Sequence, residues 1–332
     1  KTADVVVIGA GGAGLSAAVS AAENGASVIV LEKGAATGGN TIRAGGAYNA
    51  VDPARQASVA MEESQVKELK RLLELDEKTL PAGYAEDLVT LKAQIEEYLK
   101  GDTGKLFDSV QLHTIQTYFG GKRVGLDGTE ISGEYELVSK LTQESLGALE
   151  WLVSHKEGLT IRDTIGTVLG GLWPRMHSIS EPVGIGYISA LETSLAGLGG
   201  EILLNTKATE LILENGRVTG VKAEMADGTP VIVHAAKGVV MATGGYGANP
   251  KMAMVYDNYW GVLNEQMPTT NTALSTGDGI VMGAAAGANL IGMGFIQLMP
   301  SSQPVTGSLG GGLWTGAENQ VFVNKEGKRF VS

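Results

Sequence analysis

The chain has 332 residues, of which 43% are hydrophobic and 18% charged, with 48 glycines, no cysteine and a formal net charge of −11. This length exceeds one ordinary core and suits a large domain with an elaboration, and the composition is that of a globular α/β protein, not a disordered one. The acidic balance, with no basic stripe, argues against a nucleic-acid partner, and without cysteine there is no disulfide, thiolate metal site, iron–sulfur cluster or thioether haem attachment.

The opening residues KTADVVVIGA enter a strand directly, with no charged-then-apolar leader. They do not fix a compartment: a soluble cytoplasmic and an exported protein both fit. DVVVIGAGGAGLSAAVSAAENGASVIVLEKG reads as strand, Gly-rich turn, Ala-rich helix and strand, a βαβ unit with a parallel sheet. From about Asp52 to Lys100 the pattern changes. MEESQVKELKRLLELDEKTL and YAEDLVTLKAQIEEYLKG carry apolar residues at helical spacing, split by Pro81-Ala82-Gly83. They predict surface helices in an insertion over about 53–130, either a solvated elaboration or a partner-binding one. A further helix is expected through ELVSKLTQESLGALEWLVS and another through ISALETSLAGLGG. The run EILLNTKATELILENGRVTGVKAEM predicts a strand hairpin turning at Glu214-Asn215-Gly216, and TPVIVHAAKGVVMATGG a second hairpin ending in a buried strand. The most apolar window, GIVMGAAAGANLIGMGFIQLMP, contains five glycines with Asn289 and Gln297, and predicts a buried helix followed by a strand in place of a membrane span.

Gly9-Ala10-Gly11-Gly12-Ala13-Gly14 is a G-x-G-x-x-G between a strand and a helix, where backbone N–H groups and the helix dipole favour a pyrophosphate. Glu32 ends the second strand, 18 residues after Gly14, where a carboxylate accepts the hydroxyls of an adenosine ribose. A Gly-rich turn serving structure alone is the alternative. After Glu32-Lys33 a second loop, Gly38-Gly39-Asn40-Thr41 followed by Ala44-Gly45-Gly46, exceeds what a plain NAD domain requires. Ala242-Thr243-Gly244 and Thr276-Gly277-Asp278 add further close-approach backbone, and the set in this order points to FAD.

On these motifs the chain resembles the flavoprotein family of fumarate reductase and succinate dehydrogenase, nearest its soluble flavocytochrome c and urocanate reductase branch. The resemblance runs through VIGAGGAG, LEKG, GGNT, AGG, GRVTGV, ATGG, TGDG and VNKEGKRF. It implies a Rossmann-like FAD-binding domain of the glutathione-reductase type over 1–297, with the helical insertion, and the start of an α+β substrate-capping domain over 298–332. It implies that Gly9, Gly11, Gly12, Ala13 and Gly14 hold the pyrophosphate and Glu32 the ribose, with Lys33 beside it. Gly38, Gly39, Asn40, Thr41, Ala44, Gly45 and Gly46 would pass along the pyrophosphate and isoalloxazine. Ala208 would meet the adenine, and Ala242, Thr243, Gly244, Thr276, Gly277 and Asp278 would complete the cradle. Membrane-bound relatives attach FAD covalently to a histidine where Gly39 stands here, so the FAD is expected to be non-covalent. The haem-binding motif of the branch is absent, so electrons are expected from an external donor such as an FMN-bearing domain or subunit.

The same resemblance exposes departures. The family's substrate-binding His-Pro-Thr is FIQLMPSSQ here, with Met299 before Pro300, and its Thr-Glu pair falls at Gly312-Leu313, beside Trp314. Two apolar replacements favour a substrate with one carboxylate and a flatter remainder, unless Met299 and Trp314 are core residues. Tyr48 either stacks on a planar substrate or packs. Arg175 and His177 occupy a family Arg-x-His and read as structural. The implied reaction is reduction of the C=C bond of a 2-enoate (fumarate-, urocanate- or aryl-acrylate-like) by hydride from flavin N5. The family's proton-donating arginine is expected beyond Ser332, which leaves residues 1–332 alone catalytically incomplete. A ketosteroid-type dehydrogenase and an electron-relay module without turnover are the alternatives.

Overall fold

In the computed structural model, which describes residues 1–168, 171–299, 302–303, 305–308, 321 and 323–329, the first apolar run becomes β1 (Thr2–Ile8). The Gly-rich turn leads into α1 (Gly12–Glu23), and β2 (Val28–Leu31) returns parallel to β1. This is the expected βαβ unit. A two-residue β3 (Tyr48–Asn49) follows, then α2 (Pro53–Gln56), α3 (Glu63–Leu73), α4 (Ala82–Tyr98) and α5 (Val110–Gly121). A small hairpin of β4 (Arg123–Val124) and β5 (Glu130–Ile131) precedes α6 (Tyr135–Ser154), and β6 (Met176–His177) pairs back onto β3. The chain then adds α7 (Ile185–Gly197), β7 (Glu201–Leu203), β8 (Thr206–Glu214), β9 (Arg217–Met225), β10 (Pro230–Met241), α8 (Pro250–Tyr256) and α9 (Asp278–Ala285).

The main sheet has six strands in the order β7-β2-β1-β10-β9-β8. Its first four strands run parallel, while β9 and β8 are antiparallel to their neighbours. β10 joins the two halves: Pro230–His234 pairs with β9, and His234–Met241 lies along β1. Alternate residues of β1 serve opposite faces, as a strand period of two requires. Val6 and Ile8 pack with Ile29, Leu31, Leu211, Val221 and Met282 of α9, whereas Val7 packs with Leu15, Val19, Ile188 and Leu191 of α1 and α7.

Five expectations need correction. TPVIVHAAKGVVMATGG holds no hairpin of its own, because Pro230–Met241 runs as the single strand β10, passing from β9 to β1. The run from Glu201 is not one strand: Asn205, in a left-handed conformation at φ 51, breaks it so that β7 pairs with β2 and β8 with β9. The helices of the insertion are more than a surface layer. Leu69, Leu72, Tyr84, Leu88, Leu91 and Ile95 close with Leu112, Ile115 and Tyr118 into a separate core. The break between α3 and α4 lies upstream of Ala82, and Gly83 is inside α4, where a Cβ would lie 2.2 Å from the Tyr135 ring. Finally, α9 is followed by no strand among residues 286–299. Gly287 at φ 88 and Gly292 at φ 66 turn the chain where an extended strand would need φ below zero. No helix among the described residues is long and apolar enough to cross a membrane.

Candidate functional site

The site begins at the C-terminal ends of β1 and β2, where a parallel sheet presents its ligands. Gly9 leaves β1 at φ 101, and a Cβ there would lie 2.4 Å from the Ala242 carbonyl oxygen, so only glycine lets the turn pass β10. Gly14 meets Gly9 still more closely, with a Cβ 1.8 Å from the Gly9 carbonyl oxygen. These two glycines seat α1 against the sheet. Gly11 is different: its φ is −81, and a Cβ would meet nothing nearer than the Gly38 carbonyl oxygen at 3.9 Å. Gly45 and Gly245 also have no positive φ and no atom within 4 Å of a built Cβ. Neither strain nor packing requires glycine at these three positions, and bare backbone facing open space is what a closely held ligand requires.

The second Gly-rich loop lies along the first. Gly38 pairs with Gly11 as a parallel bridge, its N–H donating to the Ala10 carbonyl at 2.8 Å, and the Gly12 N–H donates to Thr41 Oγ1 at 3.1 Å. The first turn of α1 carries no acidic side chain, so the positive end of its dipole stays available to an anion. Glu32 accepts from the Ala10 N–H at 2.8 Å through Oε2 and from the Gly34 N–H at 2.7 Å through Oε1. Those bonds fix the carboxylate and leave lone pairs for two hydroxyls.

A third segment closes the cleft. Asn40 donates to Asn271 Oδ1 at 2.7 Å and Ser275 Oγ at 2.9 Å and accepts from the Thr272 N–H at 2.8 Å. Its side chain therefore ties one loop to the other. Lys33 Nζ donates to Thr276 Oγ1 and to Asp278 Oδ2, both at 2.8 Å, joining the end of β2 to the start of α9. Burial pushes the Asp278 carboxyl up, but the bonds from Lys33 and Thr276 outweigh it and hold it below the usual carboxylate range.

The cleft so formed is lined by Gly9, Gly11, Gly12, Ala13, Glu32, Lys33, Gly39, Asn40, Thr41, Ala208, Ala242, Thr243, Gly244, Gly277 and Asp278, all expected from the sequence. Gly14, Gly38 and Thr276 stand behind this lining, while Ala44 and Gly46 face an adjoining apolar pocket. Thr272, Leu274, Ser275 and Lys207 line the cleft and were not anticipated. The Ser/Thr-rich approach to TGDG in NTALSTGDG was the available signal. No His, Cys or Tyr is among the lining residues.

The adjoining pocket, about 380 Å³, shares Gly12, Ala13 and Thr41 with the cleft and is walled by Ala44, Gly46, Ala47, Tyr48, Trp151, Tyr187 and Leu191. Tyr187 donates to the Gly46 carbonyl at 3.2 Å, and burial pushes its hydroxyl up to about 12. Val183, β-branched and left-handed at φ 49, sits where its carbonyl meets Gly46. Met299 is half-buried and lines neither space, so it is not brought together with Tyr48. Trp314 lies outside the described residues.

Comparison with known proteins gives the following. A family model described as "FAD binding domain" matches residues 4–332. NADH:acrylate oxidoreductase of Vibrio harveyi is 45% identical over 335 residues, covering 100% of this chain and 33% of that protein. Urocanate reductase of Eggerthella lenta is 32% identical over 340 residues, covering 99% of this chain and 45% of that protein. The chain thus spans between a third and a half of these relatives. An open-conformation flavocytochrome c3 fumarate reductase superposes with a TM-score of 0.66 at 23% identity, over 93% of this chain and 44% of that one, a likeness of fold.

Proposed function

The chain belongs to the FAD binding domain family, and we propose that it forms the cofactor-holding part of a reductase acting on the C=C bond of a small 2-enoate with a single carboxylate, of the acrylate type. The observation that carries this reading is the cleft of two apposed Gly-rich loops, Glu32 and the 272–278 segment, in a chain 45% identical along its whole length to a relative named for acrylate. Glycines that neither strain nor packing explains, an anion-ready helix start and a clamped carboxylate just after β2 suit a dinucleotide with a free 2′-OH.

Gly11–Ala13 and the start of α1 would hold the pyrophosphate, Glu32 the ribose hydroxyls, and Ala208 with Lys207 the adenine end. Gly39–Thr41 and Ala44–Gly46 would carry the cofactor toward the adjoining pocket. We take the attachment as non-covalent because Gly39 stands where membrane-bound relatives carry the histidine that bonds the flavin. FAD held there would supply, in its reduced form, a hydride for the alkene β-carbon. The chain's residues orient and desolvate: Ala44, Gly46, Ala47, Tyr48 and Tyr187 wall an almost wholly apolar space that excludes water beside the ring. The electrons come from an external donor. The preference for a monocarboxylate rests on the 45% identity to a relative named for acrylate.

The test uses the intact protein, photoreduced anaerobically and mixed with acrylate, fumarate, urocanate or a 3-ketosteroid while flavin absorbance is followed. Acrylate should reoxidise the flavin fastest. Preference for fumarate refutes the substrate assignment, and steroid-dependent reduction of the oxidised flavin, with no enoate response, refutes the reductase reading.

A further inference from the structure

Beneath the Ala44–Ala50 ribbon lies a buried polar cluster that the cofactor and substrate roles leave unused. His177 is fully buried; its Nδ1 donates to the carbonyls of Arg175 at 2.9 Å and Tyr48 at 3.3 Å, and its Nε2 faces Asp52 Oδ2 at 3.2 Å. Asp52 also accepts from the Arg55 side chain at 2.7 Å and the Arg55 N–H at 3.1 Å. Arg175 makes a forked pair with Asp108, with bonds of 2.6 and 2.9 Å, and donates to Gln116 Oε1 at 2.7 Å. Gln56 links the two pairs: its Oε1 accepts from the Asp52 N–H at 2.9 Å and its Nε2 donates to Asp108 at 2.6 Å.

Two features separate this cluster from ordinary core. Its members come from two places: Asp52, Gln56, Asp108 and Gln116 belong to the helical insertion or its flanks, while Arg175 and His177 belong to β6 and its approach. Buried ion pairs also contribute little net stability compared with apolar residues of equal volume, so stability alone does not account for them. What they fix is the ribbon. The Ala50 N–H donates to the Arg175 carbonyl at 3.1 Å, and Tyr48 registers opposite His177. Ala44, Gly46, Ala47 and Tyr48 on that ribbon wall the pocket beside the cofactor cleft.

We propose that His177, held by Asp52 and by the Arg175–Asp108 pair, is a positioning residue that sets the Ala44–Ala50 ribbon and thereby the pocket wall next to the cofactor. The helical insertion then has a task at the site, since it and its flank supply the carboxylates that hold Arg175 and His177. The proposal rests on the FAD-dependent reading only for the part of its test that uses bound flavin.

The test compares wild type with His177→Leu and His177→Asn in the intact protein. The Asn side chain keeps a donor near the Nδ1 position, and Leu keeps neither donor. In the cofactor-free protein, amide exchange at Ala47–Ala50 should rise at least tenfold in the Leu variant, with β1 and α1 unchanged, and return most of the way in the Asn variant. With FAD bound, the visible circular dichroism of the flavin should change in the Leu variant, and kcat should fall more than KM rises. Unchanged exchange and dichroism in the Leu variant overturns the proposal. So does a uniform rise in exchange across the sheet that Asn fails to rescue, because that is a purely structural role. If the wild type takes up no FAD the functional reading fails, while the exchange measurement still decides this proposal.

Discussion

Gly14→Ala puts one methyl group where α1 meets β1. Its carbon would lie 1.8 Å from the Gly9 carbonyl oxygen, and real Cβ atoms essentially never come within 3.0 Å of such a neighbour. The gap between the two figures, 1.2 Å, must come from backbone movement, since a methyl has no rotamer to change and Gly9 is itself pinned against Ala242. Overpacking of this kind costs about 1–3 kcal/mol, and the helix start that would face the pyrophosphate moves with it. The expected result is a fall in Tm of roughly 2–4 °C per kcal/mol, and FAD affinity weaker by about tenfold or more, tenfold being about 1.4 kcal/mol. Gly147→Ala in α6 is the matched control: it has ordinary φ, no atom within 4 Å of the new methyl, and an exposed helical position. It should raise stability by roughly 0.5–1 kcal/mol without touching FAD affinity. Thermal unfolding of the apo protein and fluorescence titration with FAD measure both quantities. A Gly14→Ala protein as stable as wild type and binding FAD equally well would refute the reasoning.

Asn40→Ala removes three hydrogen bonds between the two loops of the cleft. Stability should fall by about 1–3 kcal/mol and FAD dissociation should quicken in stopped-flow; unchanged release would show that the loops close without it. Lys33→Met leaves Asp278 with the more distant Lys207 at 3.7 Å, and the Asp278 carboxyl should rise toward its ordinary value in an NMR titration. Because the folded-state Asp278 and Asp52 carboxyls both sit below their ordinary values, their stabilisation is complete above the unfolded carboxylate pKa of about 3.9 and is lost as pH falls through the folded values. Asp52→Asn should therefore flatten the acid limb of the stability profile, and an unaltered limb counts against the Arg55 bonds that chiefly hold the Asp52 carboxyl down. His113 is half-buried, and its loss of solvent, with Arg175 nearby, pushes its imidazole down to about 3. It should stay neutral across the working range, with no chemical-shift change between pH 5 and 8 for an imidazole of that pKa.

The first fifty residues were legible because each local signal agreed: alternating apolar runs, glycines at the turn, and an acid at the second strand's end. The third wall of the cleft was legible only in part. Asp278 stood out in TGDG, whereas Asn271, Thr272 and Ser275 act through bonds to Asn40, more than 200 positions away in sequence. The His177–Asp52 and Arg175–Asp108 pairs were hidden for the same reason, since no local pattern says which carboxylate a buried His or Arg will meet. Asn205 was overlooked because the apolar pattern continues across it while its backbone turns left-handed. The insertion's own core was underestimated because its interleaved Glu and Lys suggested a solvated layer, though Leu69, Leu88 and Ile95 are wholly buried.

The central claim is that the glycine-lined cleft holds FAD, and the most direct measurement is the absorbance and melting temperature of the purified intact protein with and without added FAD. The account predicts a yellow protein whose flavin is released by denaturation, or an apo form whose Tm climbs with FAD concentration. At 100 times Kd the gain should be about 2.7 kcal/mol. A colourless protein whose melting is indifferent to FAD would contradict it.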